Sequence, residues 1–334
     1  MTCVKNAPCC EVERGEVMKK TWYLIIGVVL LVIGCIAYGY HEHYKPKTAQ
    51  ELKTVRVAYL PITHALPVFA TKELETADGP VHVELVKYGS WPELMDALNT
   101  GKVDAAAVLV ELGVKAREQG IDVRAAALGH TEGNIIIVNK DINSVQDLKG
   151  KSFAIPHKQS TQKVLVDCML EEAGLSEKDV QIVEMSPPEM PSALSVGQIA
   201  GYSVAEPFGS LALEMGTGKV FEDPDHLWHD NICCALVFNG QFVDEHHNLA
   251  KAFTKAYLDA GTYLDEHPKA QEEISSKYMK FKDPVIERSL KVIGFKDLAL
   301  TEDRYNALVH HMTHIDLIKK VPAYSEFVDQ SLLP

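Results

Sequence analysis

Residues 55–73, VRVAYLPITHALPVFATKE, contain an apolar run, a short polar loop and an amphipathic segment. This order is typical of a buried strand followed by a helix, the repeating unit of α/β folds. The stretch has a counterpart in the second half of the chain, where Ala154-Ile155-Pro156 matches Tyr59-Leu60-Pro61 in front of a short loop and a helical pattern. The sequence therefore predicts that a strand–helix unit occurs in both halves of the chain.

A second pair of matches supports an internal repeat. Residues 97–103, ALNTGKV, are matched by residues 193–199, ALSVGQI, at nearly the same offset as the first pair. In each copy a helical pattern ends at a glycine, which is a common C-cap because it adopts positive φ without strain. The matches predict two α/β lobes of similar topology.

Apolar runs alternate with amphipathic segments up to about Gln241, after which the pattern is almost wholly helical. Strands that alternate with helices indicate parallel sheets. We assign residues 55–133 and 239–334 to the first lobe and residues 134–238 to the second, with hinge crossings at Asn134–Asn139 and Cys233–Phe238. The predicted strands are Val55–Leu60, Val81–Tyr88, Asp104–Val110, Val123–Leu128, Asn134–Asn139, Ser152–Pro156, Val180–Met185, Ala200–Ala205 and Ile232–Phe238.

The composition is that of a globular protein. The chain has 334 residues, with 33 lysines and arginines against 46 acidic residues, a formal charge of −13. Hydrophobic residues make up 46% and charged residues 24%, which excludes a disordered tail, a collagen-like fibre and a coiled-coil rod. No nucleic-acid partner is expected, because phosphate contacts need concentrated lysine and arginine.

The N-terminal region differs from the rest of the chain. Residues 21–40 carry no charge and follow Lys19 and Lys20, the pattern of an export signal. Residues 32–35, VIGC, resemble a bacterial lipobox, which predicts lipidation of Cys35. An uncleaved transmembrane helix remains the alternative, since about 20 apolar residues span a bilayer. Both interpretations place the rest of the chain outside the cytoplasm, tethered to the cell membrane, and the lipoprotein is preferred.

Three further assignments complete the N-terminal region. Residues 1–17 are interpreted as an extension ahead of the true start at Met18, residues 18–40 as the signal or anchor, and residues 41–54 as a polar tether. No disulfide framework is predicted. Cys233 and Cys234 lie in the apolar run ICCALVF, so they are interpreted as small hydrophobic residues rather than a redox pair.

Candidate ligand-binding residues follow the predicted strands. In open α/β sheets, ligands bind beyond the carboxyl ends of strands and at helix N-termini. Thr63 could instead be a simple N-cap, and Trp91 could cover the core. The candidates next to predicted helix starts are Thr63, His64, Ser90, Trp91, Ser160 and Thr161.

Two more candidates follow later strands. His130 comes after the fourth predicted strand, near the hinge, and is either a ligand donor or a hydrogen-bonded structural histidine. Glu206 precedes a proline. It binds a cationic or amino group of a ligand, repels the wrong anion, or anchors the next helix.

One histidine cluster has metal-ligand spacing. His310 and His314 are four residues apart on a predicted helix, with His311 between them. No acidic or cysteine partner is evident in the sequence nearby, so a solvated helix face is the interpretation. No metal ligand, cofactor or catalytic residue is predicted.

Several segments carry a family resemblance, and they span residues 55 to about 267. Their order is similar to that of substrate-binding proteins of nitrate/taurine/sulfonate-type ABC importers, which are related to the pyrimidine-precursor-binding family. The resemblance implies a type II periplasmic-binding-protein-like fold, with two α/β lobes, two crossover strands and a helical C-terminal region. The segments are YLPITHALPVFATKE (59–73), GSWPELMDALNTGKVDA (89–105), DLKGKSFAIP (147–156), ALSVGQIAGYSVAEPF (193–208) and ICCALVF (232–238).

The same resemblance implies a function without catalysis. The lobes would close on a small molecule and deliver it to the permease subunits of an importer. The solute would be a nitrate-, sulfonate- or bicarbonate-type anion or a pyrimidine-like compound, with a slight preference for the anion. Two alternatives remain: a single-turnover pyrimidine-synthesis-like enzyme on the same scaffold, and an extracytoplasmic sensor domain.

Overall fold

The computed structural model describes residues 22–23, 25–35 and 53–334. Residues 22–23 and 25–35 are helical and solvent-exposed, and we call this helix α1. Its last residue, Cys35, carries a free, exposed thiol. Within the described ranges, no helix combines the length and hydropathy needed to cross a membrane.

The other N-terminal assignments fall outside this description. The predicted extension, residues 1–17, lies outside the described residues, as do most of the predicted tether and parts of the predicted anchor. Residues Lys53–Pro334 form a compact unit of their own, and the rest of this section concerns that unit.

Two five-stranded sheets organise the unit, and most predicted strands are confirmed within one or two residues. The first sheet has the order β2-β1-β3-β11-β4 and the second has the order β10-β6-β9-β7-β8. A short antiparallel pair, β5 with β12, is separate from both. The strands are β1 Thr54–Tyr59, β2 His82–Lys87, β3 Ala105–Leu109, β4 Val123–Leu128, β5 Thr131–Glu132, β6 Asn134–Asn139, β7 Ser152–Ile155, β8 Gln181–Glu184, β9 Gly201–Ala205, β10 Gly218–Val220, β11 Cys234–Asn239 and β12 Ile293–Gly294.

The two sheets have the same topology, which confirms the internal repeat. In each, three parallel strands are followed by one antiparallel strand and a fifth strand on its far side. The antiparallel strands, β6 and β11, are the predicted crossings, and each is an inner strand of the sheet that it enters. The chain passes between the sheets in the segments just before them, residues 129–133 and 221–233. We call each sheet with its packed helices a lobe.

Helices cover both sheets, and the helical C-terminal region is confirmed apart from β12. The long helix α9 packs on α2 and on strands of the first sheet, while α5 and α7 pack on the second. Gly101 and Gly197, the matched glycines, follow α3 and α6 with φ of +70° and +72°. The helices are α2 Leu66–Glu73, α3 Trp91–Asn99, α4 Val110–Glu118, α5 Thr161–Glu172, α6 Met190–Ser195, α7 Phe208–Glu214, α8 Pro224–Leu227, α9 Gly240–Glu266, α10 Pro268–Met279, α11 Asp283–Ser289, α12 Glu302–His314 and α13 Tyr324–Phe327.

One edge of each sheet is positioned to form a site. Cys234, at the start of β11, lies opposite Leu109, at the end of β3. Asn134, at the start of β6, lies opposite Ala205, at the end of β9. Thus the first residues of each antiparallel strand share an edge with the carboxyl ends of its parallel neighbours, where α/β proteins bind ligands.

Candidate functional site

The ligand-binding edge of the first sheet brings two imidazoles and two thiols together. His64 lies in a 3₁₀ turn after β1, and His130 follows β4. Cys234 is the first residue of β11, and Cys233 directly precedes it. All four residues are buried, and one ligating atom from each lies within 4.8 Å of the others. We call these four residues the His–Cys cluster.

The atoms of the cluster are in direct contact. The ring centroids of His64 and His130 are 3.5 Å apart. The Sγ atoms of Cys233 and Cys234 are 3.8 Å apart, and Cys234 Sγ lies 3.5 Å from His64 Nδ1. Both cysteines are buried in the core, as the sequence interpretation expects, and their sulfur atoms also contact polar side chains, which that interpretation did not predict.

The backbone fixes the tautomer of His64. Its Nε2 lies 3.0 Å from the carbonyl oxygen of Gly133. A carbonyl can only accept a hydrogen bond, so Nε2 carries the proton, and in the neutral ring Nδ1 presents a lone pair to the cluster. Only a glycine fits this close to the His64 ring. Gly133 has a φ of +83°, and a Cβ at this position would lie 2.8 Å from Ile293 and 3.1 Å from His64 Nε2.

His130 is buried without hydrogen-bond partners. Neither ring nitrogen has one among the described residues. Burial, with a contribution from the neighbouring His64 ring, lowers the pKa of His130 to about 4. The ring is therefore neutral at physiological pH, and it leaves at least one nitrogen lone pair unsatisfied. Buried polar atoms are rarely left in this state.

A buried carboxyl group lies beside the cluster. Glu111, in the first turn of α4, is fully buried, and its Oε2 has no partner in the described part of the chain. Its Oε1 contacts Thr161 Oγ1, which also lies 2.6 Å from the carbonyl oxygen of Ile232. A hydroxyl has one proton to donate, so when Thr161 donates to Ile232 the other contact needs a proton from Glu111.

The direction of the pKa shift at Glu111 agrees with a protonated carboxyl group. Burial, together with the nearby Cys233, raises the pKa of Glu111 well above its usual value. Burial also raises the pKa of the Cys234 thiol. For Cys233, burial opposes ionisation, but the Cys234 thiol and the two imidazoles outweigh it and lower the pKa. Cys233 is the cysteine that ionises first.

The second lobe covers the cluster with amide and hydroxyl groups. Gln162 Nε2 donates to Cys233 Sγ at 3.3 Å and to Asn134 Oδ1 at 2.7 Å. Asn134 Nδ2 in turn donates to Asn231 Oδ1 at 3.0 Å. Because Thr161 and Gln162 begin α5 of the second lobe, the cluster is enclosed when the lobes are together.

Three of the predicted site residues meet at this place. His64 and His130 belong to the cluster, and Thr161 contacts Glu111. Thr63 is buried but does not cap a helix, because its Oγ1 and its backbone N–H both donate to the carbonyl oxygen of Glu206, at 2.9 and 3.0 Å. This pair of hydrogen bonds joins the two lobes.

The remaining predicted site residues lie outside the cluster, and two of them, Glu206 and Ser160, have local hydrogen-bond partners. The carboxylate of Glu206 accepts from the backbone N–H and the hydroxyl of Ser210, at 2.9 and 2.8 Å, so it anchors α7. Ser160 caps α5 by accepting from the backbone N–H of Lys163. Ser90 precedes α3 without a side-chain cap, and Trp91 is buried with its indole nitrogen unpartnered among the described residues.

The histidines of α12, His310, His311 and His314, are more exposed to solvent than the buried His–Cys cluster. His310 and His311 are adjacent on α12, where His311 packs against Trp228 with ring centroids 4.4 Å apart. His314 Nε2 lies 3.3 Å from a carboxylate oxygen of Glu171, and both side chains are more than half exposed. These contacts agree with the interpretation of a solvated face.

Sequence reasoning missed Glu111, Gln162 and the polar contacts of both cysteines. An apolar run such as ICCALVF gives no sign of a polar site, since neighbouring residues of a strand point to opposite faces. Both sulfur atoms can nevertheless reach the same site, because Cys233 precedes the first residue of β11 and is not subject to the alternation of the strand. One signal was available: Glu111 follows β3 as Glu206 follows β9, at matching places in the repeat.

Residues 48–278 match the NMT1-like family model. The chain belongs to the NMT1-like family. A putative aliphatic sulfonates-binding protein of Bacillus subtilis is 28% identical to this NMT1-like protein over 285 residues, covering 82% of each chain. A nitrate import ATP-binding protein of Synechocystis is 25% identical over 65% of this chain, but the match spans only 36% of that longer protein.

A solved structure supports the fold. The ligand-binding component of an ABC-type import system from Staphylococcus aureus, with zinc bound, is 35% identical to this NMT1-like protein. The two structures superpose with a TM-score of 0.80 over 84% of this chain and 97% of the other. The periplasmic-binding-protein fold expected from the sequence is confirmed by a Candida albicans protein described as having that fold, which is 14% identical and superposes with a TM-score of 0.64 over 83% of this chain and 96% of the other.

Proposed function

We propose that this protein is the extracytoplasmic solute-binding receptor of an ABC importer. It holds a small solute between its two lobes and delivers it to permease subunits. The observation that carries the proposal is the position of the His–Cys cluster, where the ligand-binding edges of both sheets meet around unsatisfied polar atoms. The names of the Bacillus subtilis and Staphylococcus aureus relatives support the same function.

The mechanism is a clamp that closes on solute. Contacts that connect the lobes include Thr63 with Glu206, Ser186 with Gly89, and Thr161 with Glu111. The residues of segments 129–133 and 221–233 that lie outside the cluster absorb the change in backbone angles when these contacts break. A solute that interacts with both lobes stabilises the closed form by the difference between its affinities for the two forms.

Two further features belong to the same proposal. The lobes would work outside the cytoplasm, anchored through lipidated Cys35, with an uncleaved N-terminal helix as the other possibility. Catalysis is not proposed, since the relatives reported above are named as binding or import components. The names of relatives favour nitrate, sulfonate or taurine as solute, and a pyrimidine-like compound is the second class.

The test is a thermal-shift panel on the full chain, with the radius of gyration measured in parallel by small-angle scattering. The panel contains nitrate, bicarbonate, taurine, alkanesulfonates, pyrimidine thiamin precursors and divalent metal ions. A solute at about 100 times its dissociation constant stabilises the fold by about 2.7 kcal/mol. It should also shift open molecules to the closed form and thereby lower the average radius of gyration.

A matched pair of variants makes the test specific to closure. Thr63→Val removes a hydrogen bond between the lobes and should weaken solute binding. Thr100→Val removes a hydrogen bond within α3 and should leave binding unchanged. If no solute class alters the melting temperature or the radius of gyration, the receptor proposal fails. Conversion of a pyrimidine precursor would support the enzyme alternative.

A further inference from the structure

We propose that the solute is a single zinc-class metal ion, bound by His64, His130, Cys233 and Cys234. The inference rests on the proposed receptor function and names the substrate class of the same site. The His–Cys cluster combines nitrogen and sulfur donors from four residues, all buried. Tetrahedral shells of two cysteines and two histidines are characteristic of zinc.

The donor spacing fits a tetrahedral ion. Zinc–sulfur bonds of about 2.3 Å and zinc–nitrogen bonds of about 2.0–2.1 Å place two sulfurs about 3.8 Å apart and a sulfur and a nitrogen about 3.5 Å apart. The observed separations are 3.8 Å between the sulfurs of Cys233 and Cys234 and 3.5 Å between Cys234 Sγ and His64 Nδ1. Both observed donor–donor distances therefore match those of a tetrahedral zinc site.

The lone pairs are available for coordination. His64 donates Nε2–H to the Gly133 carbonyl, an arrangement that orients metal-binding histidines in many proteins. It leaves Nδ1 as the ligand atom. His130 is buried with neither nitrogen hydrogen-bonded to a described residue, so its ring can supply the fourth donor without losing another contact.

The surroundings do not suit an oxyanion. Anions are held by guanidinium, ammonium or clustered N–H groups. Lys163 is the one lysine or arginine in the described ranges that is buried, and its ammonium group already pairs with Asp167 and Glu177. At the cluster itself, two sulfurs and the carboxyl group of Glu111 present electron-rich atoms, which attract a cation.

Charge balance favours a divalent ion. Two thiolates neutralise Zn²⁺, whereas Cu⁺ with the same ligands leaves a net negative charge in a buried site. An uncompensated buried charge is costly. Sulfur and imidazole donors also select against Mg²⁺ and Ca²⁺, which prefer oxygen. We therefore choose zinc rather than monovalent copper.

The experiment uses the full chain, reduced and stripped of metal with a chelator. Co²⁺ is the probe, because tetrahedral cobalt with thiolate ligands has charge-transfer absorption in the near ultraviolet and strong visible bands. One equivalent of Co²⁺ should produce both signals, and one equivalent of Zn²⁺ should abolish them. X-ray absorption of the zinc form should show two sulfur and two nitrogen neighbours.

Variants locate the ion. Cys233→Ser and His130→Gln should each weaken cobalt and zinc binding by about 100-fold or more, since even changes outside the ligand shell cost about 10–100-fold. Cys168→Ser and His310→Gln are matched controls with the same residue types elsewhere, and they should bind as the parent protein does. Circular dichroism of each variant checks that it is folded.

The outcomes separate this inference from the proposed function. If zinc does not bind but nitrate, a sulfonate or a pyrimidine closes the lobes, the metal inference is wrong and the receptor function stands. If zinc binds equally well to the parent, Cys233→Ser and His130→Gln proteins, the site assignment is wrong. If zinc binds at the cluster without closing the lobes, the site is confirmed and zinc is not the solute of a closing receptor.

Discussion

Glu111 and Glu206 occupy matching places in the two lobes, but their surroundings differ. Each follows the third strand of its sheet and lies buried at the ligand-binding edge. Both oxygens of Glu206 accept hydrogen bonds from Ser210. Glu111 contacts Thr161 through one oxygen, and its other oxygen has no partner among the described residues.

This difference separates a fully hydrogen-bonded carboxyl group from one beside the proposed ligand site. Repetition of the fold preserves the position of the carboxyl group, whereas the neighbours decide what it does. Glu206 anchors the start of α7. Glu111 lies beside sulfur and imidazole groups, among which both ring nitrogens of His130 lack hydrogen-bond partners in the described part of the chain. Unsatisfied buried atoms therefore indicate function better than position in the repeat.

The largest effect is expected for Glu206→Gln. The amide cannot accept both hydrogen bonds from Ser210, so one donor is left buried without a partner. The free energy of unfolding should fall by about 2 kcal/mol, within the range of about 1–3 kcal/mol for such losses. Urea denaturation measures this change. A loss below about 0.5 kcal/mol would mean that Glu206 does not anchor α7.

A third carboxylate, Glu118, provides an ionised reference at the other end of α4. Its side chain is 11% exposed and pairs with Lys115 while accepting from the backbone N–H groups of Lys319 and Lys320. These interactions, the contact with Lys115 first, lower the pKa of Glu118 to about 2. Glu118→Gln should destabilise the protein by about 1 kcal/mol at neutral pH.

The effect of Glu118→Gln should depend on pH. The folded pKa lies below the unfolded value of about 4.3. The stability that the carboxylate contributes is therefore present above about pH 4.3 and is lost as the pH falls towards 2. The difference between parent and variant, followed by denaturation at several pH values, should shrink over that range. A constant difference would contradict the lowered pKa.

Glu111→Gln should change stability less, by under about 1 kcal/mol. A neutral carboxylic acid and an amide have nearly the same shape, and the amide N–H can donate to Thr161 as the acid does. Denaturation of the metal-free protein tests this. A change of more than about 2 kcal/mol in either direction would show that Glu111 is ionised.

The smallest effect is expected for His310→Ala, on the surface of α12. Surface substitutions away from special features usually change stability by less than about 0.5 kcal/mol. Melting temperature and zinc affinity should both stay at the parent values. Weakened zinc binding in this variant would move the metal site away from the His–Cys cluster.

The sequence predicted the repeating architecture well because long apolar runs determine it. Strands such as Val123–Leu128 and Asn134–Asn139 were located to the residue. Gly218–Val220 was missed because three residues at a sheet edge carry too little periodicity. The pair Thr131–Glu132 and Ile293–Gly294 was missed because its partners are far apart in sequence and two residues long.

The candidate site was predicted only in part, for a related reason. His64 and His130 were chosen as candidates because both follow strands, and the structure places them together. Cys233 and Cys234 were not chosen, because the apolar run ICCALVF does not show at which residue the strand begins. The residue before the strand is not bound by its alternation, so its side chain can face the site. Glu111 was overlooked because an acidic residue in the first turn of a helix is ordinarily solvated, and its burial depends on contacts with the other lobe.

The distribution of the donors has a consequence for the rates of exchange. His64, His130, Cys233 and Cys234 all lie at the edge of the first sheet, while the second lobe adds Thr161 and Gln162 as a cover. An ion would thus be captured by a nearly complete shell while the lobes are apart. Closure would then govern residence time rather than capture, as differences in affinity usually reside in the dissociation rate. Release to a permease would then require the contacts between the lobes, the Thr63–Glu206 hydrogen bonds among them, to open.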